Sequence, residues 1–381
     1  REGMIQDGAR HFDDFDGTTY LNCAYMGPLP RVTQEAVREV LPLQAFPNRV
    51  DDSFAFHFPN RVREAVAPFV GARPQDVLVG SGASHGMAVA ALGFPWKAGD
   101  EVIVSASDFP SNVYVWNEAA RRHGGVCRRV RGKKPAATTA EILEAITERT
   151  RIVSVSWVDF GSGEVIDLER LGDTCARRGI FLAVDGTQAV GAVPLDVKAW
   201  RLSLVTVGAY KWMLAPYGAG FAYLDPDWAE RIQPSYITWT AARGAEDYNA
   251  LPRDDYRFID TARRFDAPET ASFLNRAGLI RSAEFLSEIG VRAVHEHIAG
   301  LLTRLENGLP KSYRRRASPS RVAGPILSIE ADDVPRVRRA YERLRAEKFR
   351  VSLRDDGIRV SPHIYNTEDD IDRFLQVFAR D

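Results

Sequence analysis

Lysine and cysteine are both scarce in this chain of 381 residues. The three cysteines, Cys23, Cys127 and Cys175, are odd in number and far apart. That pattern excludes a disulfide scaffold and a CxxC metal site, and it fits a reducing compartment. Net charge is nearly absent, because 50 Lys plus Arg face 51 Asp plus Glu, so no bulk field argues for nucleic acid or an anionic membrane as partner. Long apolar runs are missing as well. No segment has the length to span a bilayer, and the opening REGMIQDGARHFDDFDG has no apolar signal core, so a cytoplasmic protein is expected. Among the seven histidines the one close pair, His295 and His297, lies two apart in a helical pattern and does not share a face, which leaves metal binding without support. Only Lys97, Lys133, Lys134, Lys198, Lys211, Lys311 and Lys348 are lysines. Each has few rivals for a role that needs an amine.

What is present is an ordinary globular composition, 45% hydrophobic and 27% charged, in a chain long enough for a large domain and a smaller one. From residue 60 onward short β-rich runs alternate with helical patterns. NRVREAVAPFVG (60–71) reads as a helix, DVLVG (76–80) as a strand, SHGMAVAALGF (84–94) as a helix, and EVIVSA (101–106), RIVSVSWV (151–158), IFLAVDG (180–186), LSLVTVGA (202–209) and GAGFAYLD (218–225) as strands. Buried strands interleaved with helices predict an α/β fold with a mainly parallel sheet covered on both faces, its site at the carboxyl ends of the strands. After about residue 256 the pattern becomes α+β. The expected division is a large domain over 20–255 and a small C-terminal domain over 256–381, with residues 1–19 packing against the latter.

Three segments carry chemistry. Asp185 closes an apolar strand in IFLAVDGTQAVGAVPLD, where a carboxylate is costly unless it meets a donor: a turn or helix cap, or a cationic partner such as a protonated ring nitrogen. Lys211 follows the next strand in VTVGAYKWMLAPYGAG, either exposed or, among Tyr210, Trp212, Met213 and Leu214, desolvated into a nucleophilic amine. VGSGASHGMAV (79–89) runs strand, small-residue turn, helix, the geometry whose free N–H groups hold a phosphate, though a bare helix start reads the same way. One carboxylate, one amine and one anion nest together point to pyridoxal 5'-phosphate.

VDGTQAVGAVPLDV, GAYKWMLAPYGAGFAYL and IRVSPHIYNTEDDIDRFL resemble the aminotransferase class V group of fold-type I pyridoxal phosphate enzymes, which includes cysteine desulfurases, kynureninases and isopenicillin N epimerase-like proteins. The resemblance runs from YLNCAYMGPLP at residue 20 to the C-terminus. It implies a large domain on a mainly parallel seven-stranded sheet. It also implies that Lys211 is the Schiff-base lysine, that Asp185 faces the pyridine nitrogen and that Gln188 reaches the 3'-oxygen. Ser84 is similar to the hydroxyl beside the phosphate, with Ala83 and His85 supplying neighbouring backbone, and Tyr210 to a phosphate-contacting tyrosine. Phe109, in SASDFPSNVYVW, would stack on the ring. Asp159, in SWVDFGSG, falls where relatives carry a polar residue near the ring, and Trp157 replaces a frequent histidine. Arg359 is similar to the arginine that binds the substrate α-carboxylate, a task for which its planar fork is suited. Asn22 would line the substrate entrance. Thr270 resembles a residue that reaches the phosphate of the neighbouring subunit, although Glu269 replaces the usual preceding glycine.

These assignments imply an amino acid as substrate and a homodimer. They leave the reaction open among transamination, placed first, Cβ elimination and epimerisation. No second arginine can be assigned to a dicarboxylate acceptor. Cysteine desulfuration by the usual route is not expected, because RAEKFRVSLRDDGIRVSP, ahead of and around Arg359, holds no cysteine. A cofactor-free binding module on the same fold is the alternative of another class, and it would have no use for Lys211, Asp185, Gln188 and Arg359 together.

Overall fold

A computed structural model describes residues 2–134, 136–252, 254–269 and 272–380. The apolar runs form a seven-stranded sheet: β1 (Val77–Gly80), β2 (Glu101–Ser105), β3 (Val126–Val130), β4 (Thr150–Ser156), β5 (Phe181–Asp185), β6 (Leu204–Gly208) and β7 (Gly220–Leu224). Their spatial order is β1-β7-β6-β5-β4-β2-β3. From β3 through β6 neighbouring strands are parallel, and β7 runs antiparallel to both β6 and β1. This is the fold-type I sheet that the pattern and the resemblance imply. β5, β6 and β7 are buried along their whole length, as expected for strands covered on two faces. β3, at the edge, is the exception: its sequence VCRRV is nowhere fully buried and carries two arginines, which guard an open edge against pairing with another chain.

A second, antiparallel sheet contains β8 (Arg314–Arg315), β9 (Leu327–Glu330), β10 (Ser352–Arg354) and β11 (Gly357–Val360), in the order β10-β11-β9-β8. The N-terminal segment joins this part of the molecule. Thr19 and Tyr20 pair in parallel with Phe349 and Arg350, and Asn22 bridges to Ser361. Two long helices, Phe273–Ile289 and Val291–Gly308, link the sheets.

One helix departs from expectation. The segment assigned to 60–71 starts earlier, as Phe54–Val66, and ends in a short 3-10 turn. Pro59, which signals a boundary, sits inside it. Its lost hydrogen bond is outweighed by packing, since Phe54 and Phe58 meet Phe273 with ring centroids 5.3 and 6.2 Å apart.

A buried ion pair ties this helix to the first strand. Arg63 bonds to Asp266 Oδ2, both side chains being almost fully enclosed, and Asp266 Oδ1 accepts from Val79 N at 2.8 Å. Asp266→Ala strands a buried guanidinium and a backbone donor, so a loss of about 3–5 kcal/mol is expected in urea unfolding. The paired Arg63→Met, Asp266→Leu variant should lose distinctly less, and equal losses would show that the pair itself is not what matters.

Candidate active site

Five loops at the carboxyl ends of the parallel strands and of β1 enclose a cavity of about 260 Å³. Ser81, Gly82, Ala83 and Ser84 follow β1, Phe109 and Ser111 follow β2, Ser156 ends β4, Asp185 ends β5, Gly208 ends β6, and Tyr210 and Lys211 follow it. Register explains the convergence. Ser156 lies beside Asp185 and Asp185 beside Thr206, so β4 and β5 end at one level and β6 runs two residues further, to Gly208.

Lys211 is 9% exposed, its ammonium 5.9 Å from the Phe109 ring centre and 5.5 Å from that of Tyr210. Burial pushes its pKa from 10.5 down to about 8, against the opposing pull of Asp185. The backbone around it is clamped: Gly27 N donates to Tyr210 O, Leu214 N donates to Lys211 O, and Leu214 is held at φ 54°, a left-handed conformation that a leucine adopts only under constraint. Asp185 is fully enclosed, and burial raises its pKa while bonds from Thr187 and the charge of Lys211 lower it. Thr187 N donates to Asp185 Oδ1 at 2.9 Å, and Thr187 Oγ1 in turn accepts from Gly208 N at 2.9 Å, locking the ends of β5 and β6 together. Gln188 is fixed at both ends, its Nε2 donating to Ala24 O and its Oε1 accepting from Trp212 Nε1. Burial lifts the Tyr210 phenol to about 12. Phe109, 44% exposed, meets Phe160 edge to face at the cavity mouth.

Arg359 is 2% exposed and has no carboxylate partner among the described residues. Its Nη1 donates to Phe160 O at 2.6 Å, its Nη2 lies 3.4 Å from Asn22 Oδ1 and from Ser352 Oγ, and its Nε is buried with no hydrogen-bond partner. A guanidinium this enclosed is costly unless an anion completes it. Asn22 therefore orients Arg359, with its Oδ1 also accepting from Ser352 Oγ at 2.9 Å, and does not line the cavity.

Two expectations are corrected. Asp159 does not face the cavity: its Oδ1 accepts from Gly161 N, Ser162 N and Ser162 Oγ, closing its own turn, and Ser156 supplies the polar group on that side. His85 contributes no free backbone donor, because its N–H bonds to Gly82 O; its ring bonds to Phe265 O and Tyr236 outside the cavity. Ala83 and Ser84 do line it. Thr270 lies outside the described residues. Trp157 points to the opposite face of β4, against Trp200 in a separate cleft of about 440 Å³ that holds no lysine or histidine.

Sequence reasoning missed Thr187, Ser156 and Asp108. Asp108 is buried, accepts from Ser156, Phe109 N and Asn112 Nδ2, and is lifted to about 6 by burial first, with Asp185 adding to the rise. Its place directly before Phe109 in SASDFPSN was the available signal. Cys23 was also overlooked as a neighbour of the site: its thiol lies 3.6 Å from Lys211 O, fully buried.

The model of the family described as aminotransferase class-V matches residues 49–374. The chain belongs to the aminotransferase class-V family. Isopenicillin N epimerases from Amycolatopsis lactamdurans and Streptomyces clavuligerus are 27% and 26% identical, over 94% of this chain and 94% of the former, and 93% and 92% for the latter. An uncharacterized aminotransferase of Bacillus subtilis is 23% identical over 83% of this chain and 82% of its own length. A structure of the cystine C-S lyase C-DES with its product cysteine persulfide superposes with a TM-score of 0.84 at 22% identity, covering 96% of this chain and 99% of the other. Class-V enzymes use pyridoxal 5'-phosphate. The residues here fit that group. A Cβ on Gly82 would meet nothing within 4 Å, whereas one on Gly220 behind it would lie 2.5 Å from Gly82 Cα, so the turn at the helix start is backed by glycine and open to the cavity.

Because the amine is neutral only above its own pKa, covalent capture of a carbonyl reagent by Lys211 in cofactor-free protein should rise with a midpoint near pH 8. Peptide mapping of the reduced adduct against pH checks this. A midpoint at the ordinary lysine value would mean that burial does not tune the amine.

Proposed function

We propose that this protein is a pyridoxal 5'-phosphate-dependent aminotransferase acting on an amino acid. The reading is carried by one observation: Lys211 is the only amine or imidazole lining the cavity among the described residues, and it is desolvated beside a buried carboxylate. Lys211 would hold the cofactor through Nζ, Asp185 would keep a proton on its ring nitrogen, and Gln188 would donate to its ring oxygen. Phe109 would lie across the ring, and Ser84, Ala83 and Tyr210 would surround the phosphate. When bound, the cofactor supplies an electron sink for the pair left when a bond at the amino acid's Cα breaks. Arg359 binds the α-carboxylate with the Nη and Nε donors that the protein leaves incompletely satisfied. Lys211 Nζ takes the Cα proton as general base and holds it as acid. With a single such group, the proton leaves and returns on one side. That favours amino-group transfer over inversion at Cα.

Epimerisation is the second reading, favoured by the full-length epimerase relatives. It requires proton return on the opposite face of Cα, and no second amine or imidazole lines the cavity to deliver it. Sulfur transfer through a cysteine finds no support: burial pushes the thiols of Cys127 and Cys175 up to about 11 and 12 and Cys23 higher still, and none lines the cavity. We further propose a division into the two domains near residue 255 and a homodimer. Ile237, Trp239, Tyr248 and Tyr256 form an exposed apolar stretch suited to burial against a second copy.

A panel of amino acids on the holoenzyme tests the reaction. Loss of the cofactor's visible band with an amino acid, and its return on adding pyruvate or 2-oxoglutarate, is the expected result. Accumulation of the inverted amino acid without any acceptor would replace the aminotransferase by the epimerase. Arg359→Lys should raise KM for the amino acid about 10- to 100-fold, with a smaller change in kcat, because a point charge replaces a fork.

A further inference from the structure

The side chain of the amino acid is not specified by Lys211, Asp185 or Arg359, but a cation beside them has no other assignment. Arg354 ends β10, and the antiparallel register sets Ser352 opposite Arg359 and Arg354 opposite Gly357. Directly opposed residues share a face, as do residues two apart along a strand. Ser352, Arg354, Arg359 and Gly357 therefore lie on one side of the small sheet, and Leu353 turns into the core on the other. Ser352 Oγ confirms the direction, 3.4 Å from Arg359 Nη2. Gly357 adds no side chain to this face, but the place its Cβ would take is bordered by Ser328 Oγ at 2.7 Å and Arg316 Nη1 at 3.1 Å, so a third guanidinium, 3.8 Å from Glu330, flanks the strand pair.

Arg354 is half-buried and makes no ion pair among the described residues; its one side-chain hydrogen bond, at 3.5 Å, is to the adjacent Leu353 O. Two of the nearby acids are engaged elsewhere, and the third makes no ion pair among the described residues. Asp356 pairs with Arg338 at 2.8 Å, Asp159 closes its own turn, and the Asp355 carboxylate sits over Gly161, where an added Cβ would come within 3.3 Å of its Oδ2. The positive charge is felt at the site. Burial is the first cause that pushes Arg359 down to about 10, Arg354 is the second, and Arg354 also acts on Lys211. One α-carboxylate would complete Arg359 and leave Arg354 unmatched.

We propose that Arg354 is a specificity-determining residue that binds a second carboxylate, so that the amino acid, or the keto acid that accepts its amino group, is dicarboxylic. The proposal rests on the amino-acid enzyme reading above. It supplies the second arginine that the linear motif did not identify, and places it five residues before the first.

The test pairs substrates that differ only in that charge. L-Glutamate against L-glutamine and L-aspartate against L-asparagine are compared by kcat/KM, and glutarate against butyrate by calorimetric titration of the holoenzyme. Wild-type protein should prefer at least one acidic member by about tenfold or more, since a charge-assisted pair contributes on that scale. Arg354→Gln should bring the ratio near one by weakening the acidic ligands alone, and Arg354→Lys should restore part of it. Thermal melting verifies that each variant is folded. A wild-type ratio near one, or a preference that survives Arg354→Gln, overturns the assignment. If neutral amino acids perturb the cofactor band without any preference for acid, only this proposal fails. If no amino acid perturbs it, the underlying reading fails and takes this one with it.

Discussion

The site depends on holding an amine and a carboxylate together where water is scarce. Lys211 and Asp185 sit at the ends of adjacent parallel strands, and their burial acts on the two groups in opposite senses: it makes the ammonium easier to deprotonate and the carboxylate easier to protonate. Each charge partly restores the other. The balance leaves an amine near neutral pH and an acid with a reason to seek a protonated partner. Asp108 extends this arrangement. Burial first and the charge of Asp185 after it raise Asp108, and the bonds from Ser156, Asn112 and Phe109 N offset that rise while fixing the aromatic at the cavity mouth.

Such a balance tolerates little movement, and the fold restrains it from several directions. Thr187 joins the ends of β5 and β6, Gln188 is held by Ala24 and Trp212, and Gly27 approaches the Lys211 carbonyl so closely that an added Cβ would lie 2.1 Å from it. The N-terminal segment also reaches the small sheet through Asn22, which bonds to the side chain beside Arg359 and lies near Arg359 itself. One short stretch, Leu21 to Gly27, thus touches both the lysine and the arginine. The amine side and the carboxylate side are positioned by shared contacts.

The alternation of buried strands and helices, together with strand-end Asp185 and Lys211, was legible in the sequence because burial on both faces demands continuous apolar runs, and a charge at the end of such a run stands out. The small-residue turn at 79–89 was weak as a bare pattern, and Arg359 was singled out among many arginines chiefly by the family resemblance of GIRVSPHIYNT. Asp159 was misplaced because its hydrogen bonds close its own turn, and His85 because its N–H bonds to Gly82 O while its ring turns to Phe265 and Tyr236, facts that composition does not carry. Asp108 and Thr187 were passed over because an acid before a helix and a threonine after a strand are ordinary caps. Their weight comes from what faces them. Phe54–Val66 ran through Pro59 because its aromatic face finds Phe273 more than two hundred residues later.

From the chain alone, then, come the alternation of strands and helices and the motifs whose family resemblance implies the sheet, the cofactor and Lys211 as its amine. The tertiary structure decides which polar groups remain unsatisfied. Arg359, 2% exposed and without a carboxylate partner among the described residues, and Arg354, on the same face and without an acid among them, are marked out only by the surroundings that the fold creates. Electrostatic and desolvation effects depend on distance in space, and sequence separation does not determine that distance.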